Sequence, residues 1–157
     1  MIGVYAGSFC PITVGHVDAI ERASKTVDKL YVVVGVNEQK RYALTDQQRL
    51  DLTTRALAHL ANVCVVLHKG MMTDFCKSVN ANVMIKSIRN AADLQQVVEI
   101  DAVNRQFWGG ETTFLLSAPQ YQHVSSSLVR ELVTLNQDVS TLVPDGLCQE
   151  ITQLLKK

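Results

Sequence analysis

Two short segments near opposite ends of the chain carry the residue types best suited to phosphate chemistry. Residues 13–16 read TVGH, and residues 125–127 are three serines. The first backbone N–H groups of a helix have no intrahelical partner, so a helix start binds anions. In the first segment a glycine allows close approach of the backbone, and a histidine adds a hydrogen-bonding side chain. The two segments therefore predict two phosphate-binding helix N-termini.

Taken alone, each segment has an ordinary structural explanation. A histidine at a helix start often only caps or packs, and serines before a helix often only cap it. Both segments in one chain of 157 residues are a more specific combination. The signatures GxxxxGK[ST] and GxGxxG are absent, so the sequence supports neither a P-loop kinase nor a nicotinamide dehydrogenase.

The elements that must position these segments alternate between strand and helix patterns. Apolar β-branched runs at 2–5, 30–36, 63–67, 83–85 and 113–116 predict five strands. Segments of helical period lie between them, at 17–23, 47–60, 72–78 and 91–103. Nearly continuous apolar runs are typical of parallel strands covered on both faces. We therefore predict one domain spanning 1–157, with an α/β, Rossmann-like, doubly wound five-stranded parallel sheet and helices on both faces.

Several helix starts are legible in the sequence. Thr45 and Gln48 have the spacing of a capping box, and one of the three serines is expected to cap the helix that follows them. Pro144 is predicted to open a last amphipathic helix, because proline suits the first helical position.

The loops after the predicted strands indicate where a ligand binds. In open α/β sheets, ligands bind beyond the carboxyl ends of the strands. The segments that follow the five strands are 7–16, 37–41, 68–72, 86–89 and 121–127. Together they bring cations, hydroxyl groups, a histidine and two helix starts to one edge of the sheet, which predicts a site for an anionic ligand.

Charge and composition exclude several classes of partner. Fifteen Lys and Arg balance fifteen Asp and Glu, so the chain has no global basic field for nucleic acid. No run approaches the roughly 20 apolar residues that cross a bilayer, and the first residues lack a signal-peptide pattern. Four scattered cysteines without a CxxC pair favour free thiols in a reducing compartment. We expect a soluble cytoplasmic protein with no nucleic-acid or membrane partner and no metal site built from its own side chains.

The TVGH segment together with VSSSLVRE at 124–131 resembles the nucleotidyltransferase superfamily. Their separation and flanks resemble the bacterial phosphopantetheine adenylyltransferases, whose usual pattern reads GTFDPxTxGH, a lysine after the second strand, RGLR and then ISSSxVRE. The likeness runs through essentially the whole chain. It implies transfer of AMP from ATP to 4′-phosphopantetheine, giving dephospho-coenzyme A and pyrophosphate. It also implies Mg²⁺ bound through the ATP phosphates and a hexameric assembly.

The resemblance also implies roles for particular positions. His16 would hold the α-phosphate and Lys40 would contact the reacting phosphates, which makes them the catalytic residues. The implied ATP-binding positions are Ser8, Phe9, His16, Ser87, Ile88, Arg89, Val97, Tyr121, Gln122, His123, Val124, Ser125, Ser126 and Ser127. The implied acceptor-binding positions are Ser8, Lys40, Met72, Lys86 and Asn104.

The chain departs from the family pattern at four positions. Cys10 replaces the usual aspartate, Lys86 and Ser87 replace Arg-Gly, and Val97 replaces an acidic residue. Lysine cannot reproduce the planar fork of arginine, so phosphate binding is expected to differ. Two alternatives stay open. One is another acceptor, such as nicotinamide mononucleotide with ATP or glycerol phosphate with CTP, and the other is a catalytically silent nucleotide-binding module.

Overall fold

The computed structural model describes residues 1–157, and its elements follow the predicted alternation. The strands are β1 Ile2–Gly7, β2 Lys29–Val36, β3 Val63–Lys69, β4 Val83–Ile88 and β5 Glu111–Leu116. The helices are α1 Val14–Ser24, α2 Asp46–Ala56, α3 Met72–Ser78, α4 Ala91–Phe107, α5 Ser126–Thr134 and α6 Cys148–Leu155, with a 3₁₀ turn at Pro119–Tyr121. All five predicted strands are confirmed, and each is longer than its apolar run.

The five strands form one parallel sheet in the order β3-β2-β1-β4-β5. Val4 in the central strand pairs with Tyr31 of β2 on one side and with Met84 of β4 on the other. The strand order reverses between β1 and β4, which opens a crevice at the carboxyl ends of these two strands. This arrangement confirms the predicted Rossmann-like sheet.

Helices cover both faces of the sheet. Alternate side chains of β1 point to opposite faces, so Tyr5 joins a large core cluster and Val4 joins a small one. The large cluster packs α1, α2, α5 and α6 against one face. In the small cluster Val4, Val33 and Met84 pack with Cys76 of α3 on the other face. The prediction of a doubly wound fold is therefore confirmed.

Two helix starts lie where local spacing predicts them. Thr45 Oγ1 accepts from the Gln48 backbone N at 3.2 Å, and Gln48 Oε1 accepts from the Thr45 N at 2.9 Å. Ser125 Oγ accepts from the Leu128 backbone N at 3.1 Å, so Ser125 is the serine that caps α5. Both contacts join residues three apart in sequence, which is why the sequence alone predicts them.

Two helix boundaries differ from the prediction. Helix α6 begins at Cys148 and not at Pro144, because Gly146 has φ of 80° and the Leu147 N–H closes a turn onto Pro144 O. Helix α2 ends at Ala56 and not at Leu60. Leu57 is still only 2% exposed, so apolar residues continue to enter the core after the helix has ended.

Helix α4 is the longest helix, and much of its apolar surface is exposed. Its only buried residue is Asn104. Leu94, Val98, Val103 and Phe107 are all exposed along it. None of the helices, α4 included, combines the length and apolar character that crossing a membrane requires.

Candidate active site

The first helix start is built by Thr13 and His16. Thr13 is the N-cap of α1, and its Oγ1 accepts a hydrogen bond from the His16 backbone N at 3.3 Å. In return, the His16 ring Nδ1 accepts from the Thr13 backbone N at 3.1 Å. Histidine here takes the place that Glu or Gln usually has in a capping box. His16 therefore acts as a capping residue through Nδ1, whereas Nε2 takes no part in the cap.

The capping contact also decides where the ring proton of His16 lies. A backbone N–H only donates, so Nδ1 must accept and the proton lies on Nε2. The ring packs edge-on against Phe9, with the ring centroids 5.1 Å apart. Burial, with a smaller contribution from the positive charge of Arg89, lowers the pKa of His16 to about 4. At neutral pH His16 is therefore an uncharged ring whose Nε2–H is an oriented donor.

A pH titration of the free protein checks this charge state. We expect the His16 ring to stay neutral down to about pH 5 and to take up a proton with a midpoint near 4, well below its usual value of 6.5. The measurement is nitrogen-detected NMR of the ring, which also distinguishes the Nε2–H tautomer. A midpoint near 6.5, or a proton on Nδ1, would contradict the capping geometry.

The second helix start, at α5, is tied directly to the loop after β1. Ser126 Oγ donates to Pro11 O at 2.7 Å, and Arg130 Nη1 donates to Cys10 O at 2.6 Å. Arg130 Nη2 also donates to Ser127 Oγ at 3.2 Å. Segments more than 110 residues apart in sequence are thereby held beside each other.

Two adjoining cavities meet at His16, Ser87 and Arg89. The first, of about 290 Å³, extends along α4, and its other lining residues include Lys86, Val97 and Asn104. The second, of about 230 Å³, lies between the starts of α1 and α5 and is also lined by Thr13, Gly15, Ser117, Tyr121, Val124, Ser125, Ser126 and Ser127. Hydroxyl groups, helix N-termini and one arginine make the second cavity suitable for a polyphosphate.

Two further cavities collect positive charge at the ends of β1, β2 and β4. One, of about 220 Å³, brings Ser8, Lys40 and Lys86 together. The other, of about 450 Å³, is lined by Ser8 and Lys40 together with Arg41 and Arg130. No Asp or Glu lines either cavity. This corner of the site therefore favours an anionic group.

Comparison with known proteins decides which reaction class this geometry serves. A family model described as Cytidylyltransferase-like matches residues 4–132. The phosphopantetheine adenylyltransferase of Streptococcus gordonii is 40% identical over 152 residues, which is 96% of this chain and 93% of the relative. The protein of the same name from Streptococcus pneumoniae is 42% identical, covering 96% and 94% of the two chains. That of Rubrobacter xylanophilus is 39% identical over 157 residues, covering 99% and 96%.

The chain belongs to the phosphopantetheine adenylyltransferase family. The match covers nearly the full length of the chain and of each of these relatives, with no large unmatched segment. The family and the class of enzyme predicted from the sequence are confirmed.

Two of the chain's departures from the usual adenylyltransferase pattern lie at the end of β4. The Ser87 hydroxyl is hydrogen bonded to the Tyr5 hydroxyl at 2.7 Å, so the added side chain has a partner inside the fold. Lys86 lines both the first cavity and the corner with Ser8 and Lys40. Burial lowers the pKa of the Lys86 ammonium, because removing it from water disfavours its charged form.

The lowered pKa predicts how acceptor binding depends on pH. Lys86 is charged below its pKa, and as pH rises it loses that charge earlier than a free lysine does. We expect the KM for a phosphorylated acceptor to rise between pH 7 and 10 in the wild type and to rise less in Lys86→Arg, whose charge persists. At pH 7 Lys86→Arg should match or improve on the wild-type KM. Steady-state kinetics over this range, with the KM for ATP as control, checks the prediction. Parallel pH profiles, or a large loss of kcat/KM in Lys86→Arg, would contradict it.

Most of the predicted site residues line the cavities. Those on the first two cavities are His16, Lys86, Ser87, Arg89, Val97, Asn104, Tyr121, Val124, Ser125, Ser126 and Ser127. Ser8 and Lys40 line the two positively charged ones. The structure thus brings these residues to one crevice, at the reversal of strand order.

Five predicted positions line none of the four cavities. Phe9 and Ile88 are only 1% and 5% exposed, and Phe9 instead supports the ring of His16. Met72 packs against the small core cluster. Gln122 and His123 are exposed on the loop between the 3₁₀ turn and α5. Their roles toward ATP or the acceptor stay predictions.

Several lining residues were not among the predicted ones. Arg130 belongs to the VSSSLVRE segment, so the sequence did hold a signal for it. Asp101 and Thr112 line the first cavity near Asn104, but no motif marks them. Asp101 Oδ2 accepts from Arg105 Nε at 2.7 Å, and Arg105 also pairs with Glu111. The nearby Thr112 hydroxyl and Arg105 both lower the pKa of Asp101, so this wall of the cavity carries a negative charge.

The side chains around the cavities fit a metal ion that is held mainly by the phosphate groups of a bound substrate. No group of three or more His, Cys, Asp or Glu side chains is arranged to bind a metal. Asp93, on the wall of the first cavity, is already engaged by Arg89, since its Oδ2 accepts from the Arg89 N at 3.0 Å and lies 3.3 Å from Nε. Mg²⁺ commonly keeps several waters and binds through substrate phosphates, which this lining accommodates.

Proposed function

We propose that the protein transfers AMP from ATP to 4′-phosphopantetheine, giving dephospho-coenzyme A and pyrophosphate. The observation that carries the proposal is the position of His16. Its ring lies where the second cavity, between the starts of α1 and α5, meets the first cavity along α4. One ring nitrogen is fixed by the cap, so the other is a preorganised donor at this junction. The family membership supplies the identity of the two substrates.

The second cavity is the proposed seat of the ATP phosphates. The N-termini of α1 and α5 both face it. The unpaired backbone N–H groups there are that of Gly15 at α1, where the Val14 N–H donates to Leu142 O, and those of Ser126 and Ser127 at α5. The Ser125, Ser126 and Ser127 segment adds hydroxyl groups, and Arg89 adds a planar guanidinium that suits phosphate oxygens. We propose that the β- and γ-phosphates lie along this segment and that the α-phosphate lies beside His16.

The acceptor is proposed to enter from the other side of His16. Its phosphate would lie at the corner of Ser8, Lys40 and Lys86, where no carboxylate opposes it. The rest of the acceptor would extend into the first cavity toward Asn104, the one buried residue of α4. In this arrangement the α-phosphate of ATP and the phosphate of the acceptor would lie on either side of the His16 Nε2–H donor.

The chemistry needs no enzyme nucleophile. An oxygen of the acceptor phosphate attacks the α-phosphorus of ATP, the bond from that phosphorus to the bridging oxygen breaks, and pyrophosphate leaves with its electron pair. Catalysis then depends on positioning and on stabilising charge on the transferring group. His16 Nε2–H and Lys40 would act on that charge, and Arg89 with the serine segment would hold the leaving pyrophosphate. Mg²⁺ bound to the phosphates would neutralise part of their charge.

A panel of acceptors tests the proposal against its rivals. Purified protein with Mg²⁺ is incubated with ATP and phosphopantetheine, ATP and nicotinamide mononucleotide, or CTP and glycerol phosphate, and pyrophosphate release is measured. We expect release only with the first pair. Faster release with another pair would assign a different acceptor. Tight ATP binding with no release for any pair would instead indicate the silent nucleotide-binding module that the substitutions at Cys10, Lys86, Ser87 and Val97 suggest as the alternative.

We also propose that the protein works in the cytoplasm as an oligomer, the hexamer that the resemblance implies. The support is the apolar surface exposed on α4 and on the edge strand β5, where Val98 is 59% and Leu116 is 70% exposed. Exposed apolar surface of this kind marks interaction sites between proteins.

The oligomer proposal predicts a solution mass. Light scattering should give about six times the chain mass of 17.4 kDa. Val98→Glu on α4 should dissociate the assembly, because it would bury a charge in an apolar contact. Leu135→Glu, at the exposed end of α5, is the control and should leave the mass unchanged. A wild-type mass equal to one chain would contradict the proposal.

A further inference from the structure

Arg49 of α2 is the largest fully buried side chain of the protein, although it carries a charge. It lines none of the four cavities. A buried charge is costly unless hydrogen bonds satisfy it, so its contacts identify what it does in the fold.

The contacts of Arg49 join two loops of the site. Nη1 donates to Ser8 O at 2.7 Å and to Gly35 O at 2.9 Å, so one nitrogen bridges the loop after β1 and the end of β2. Nη2 donates to Asp46 Oδ1 at 2.7 Å, which anchors the guanidinium at the start of α2. Ser8 is therefore held by its backbone, and its hydroxyl is left free for a ligand.

A second route leads from Arg49 to Lys40. The guanidinium carbon lies 3.8 Å from the centre of the Tyr42 ring, a stacking contact. The Tyr42 hydroxyl accepts from the Asn37 backbone N at 3.2 Å, and Asn37 O accepts from the Lys40 backbone N at 3.0 Å. The turn that carries Lys40 is thus connected to Arg49 through Tyr42.

We infer that Arg49 is a positioning residue that sets the separation of Ser8 and Lys40, and thereby shapes the site for the acceptor phosphate. The inference rests on the proposed function for the identity of the ligand. Only arginine combines a fork that reaches two carbonyl groups and a carboxylate with a flat face that stacks on tyrosine. We expect Arg49 to act on the reaction through Ser8 and Lys40, since it lines none of the four cavities.

The first test is Arg49→Lys, which keeps the charge but loses the fork and the stacking face. The KM for phosphopantetheine should rise about tenfold, while the KM for ATP changes less than about twofold. Arg55→Lys is the matched control: Arg55 lies on the same helix, is 44% exposed and pairs with Asp51 and Glu150. It should change neither constant. Equal rises in both KM values for Arg49→Lys would overturn the inference.

A double-mutant cycle separates positioning from general destabilisation. If Arg49 acts partly through Lys40, Arg49→Lys should cost at least about threefold less in the Lys40→Ala background than in the wild type. The same cost in both backgrounds would show that Arg49 does not act through Lys40.

Hydrogen exchange tests the inference without relying on activity. In Arg49→Lys, the amides of Asn37 and Lys40 should exchange faster, while amides in β3 and α6 are unchanged. Unchanged exchange at Asn37 and Lys40 would overturn the inference even if the enzyme is active. If Arg49→Lys does not fold, Tyr42→Phe replaces it, because it removes only the hydroxyl that holds Asn37, and faster exchange is expected at the same two amides. A wild type with no adenylyl transfer would refute the proposed function, whereas the exchange result would still decide the role of Arg49.

Discussion

Replacing His16 with alanine is expected to lower kcat by on the order of 10²–10³, with kcat/KM falling in parallel. The physical reason is that the His16 ring lines both cavities where they meet, which is where the proposed reaction would reorganise charge on the α-phosphate as one P–O bond forms and another breaks. The ring is neutral and held by the cap, so this donor needs no reorganisation during the reaction. ATP binding, measured by calorimetry, should be retained because the helix starts and Arg89 remain.

The structural role of His16 requires its own control. His16→Ala also removes half of a capping box, which typically stabilises a fold by about 1 kcal/mol. Gln48→Ala removes the equivalent contact from α2 and lines no part of the site. His16→Ala should lose at least as much stability as Gln48→Ala in thermal unfolding, because it also removes the ring contact with Phe9, but only His16→Ala should lose turnover. Unchanged kcat in His16→Ala, or equal losses of kcat in the two variants, would leave the histidine as a cap alone.

The second large effect is expected for Lys40→Ala. Lys40 faces two cavities that contain no carboxylate, and its ammonium forms no ion pair within the protein, so it is available to an anionic ligand. A hydrogen bond to a charged group contributes about 1.5–3 kcal/mol, which predicts a loss of kcat/KM of roughly 10- to 150-fold. The loss should appear with the phosphorylated acceptor varied at saturating ATP.

A nearby lysine provides the control for Lys40. Lys69 lies at the end of the neighbouring strand β3 and is paired with Glu38, and it lines none of the four cavities. Lys69→Ala should keep kcat/KM within about twofold of the wild type, because exposed ion pairs contribute little. If Lys40→Ala and Lys69→Ala lose activity equally, the loss reflects the lower positive charge of this region and not a contact made by Lys40.

The sequence predicts best those structural features whose physical cause lies within a few neighbouring residues. The five strands follow from apolar runs, and the Thr45–Gln48 capping box follows from residues three apart, so both could be predicted directly. The helix predicted to start at Pro144 failed because Gly146 adopts a left-handed conformation that periodicity does not reveal. The end of α2 was missed because Leu57 keeps the apolar period while it packs into the core from a turn.

In the site, too, the residues marked by short sequence segments could be predicted, and those that depend on the tertiary fold could not. Each of the TVGH and serine segments is contiguous in sequence, and most of the positions implied by the resemblance line the crevice, while their roles toward ligands stay predictions. Arg49 gave no signal, because an arginine on a helix normally faces water. Its burial depends on Ser8, Gly35 and Tyr42 meeting at one point, which is a property of the tertiary fold.

The most direct test of AMP transfer to phosphopantetheine traces labelled ATP into the products. The wild-type protein is incubated with ATP labelled in its adenosine moiety and with phosphopantetheine, and the products and the protein are analysed by mass spectrometry. We expect the label to appear in dephospho-coenzyme A in amounts equal to the pyrophosphate released, with none attached to the protein. Label found only in free AMP, or attached covalently to the protein, would contradict this expectation.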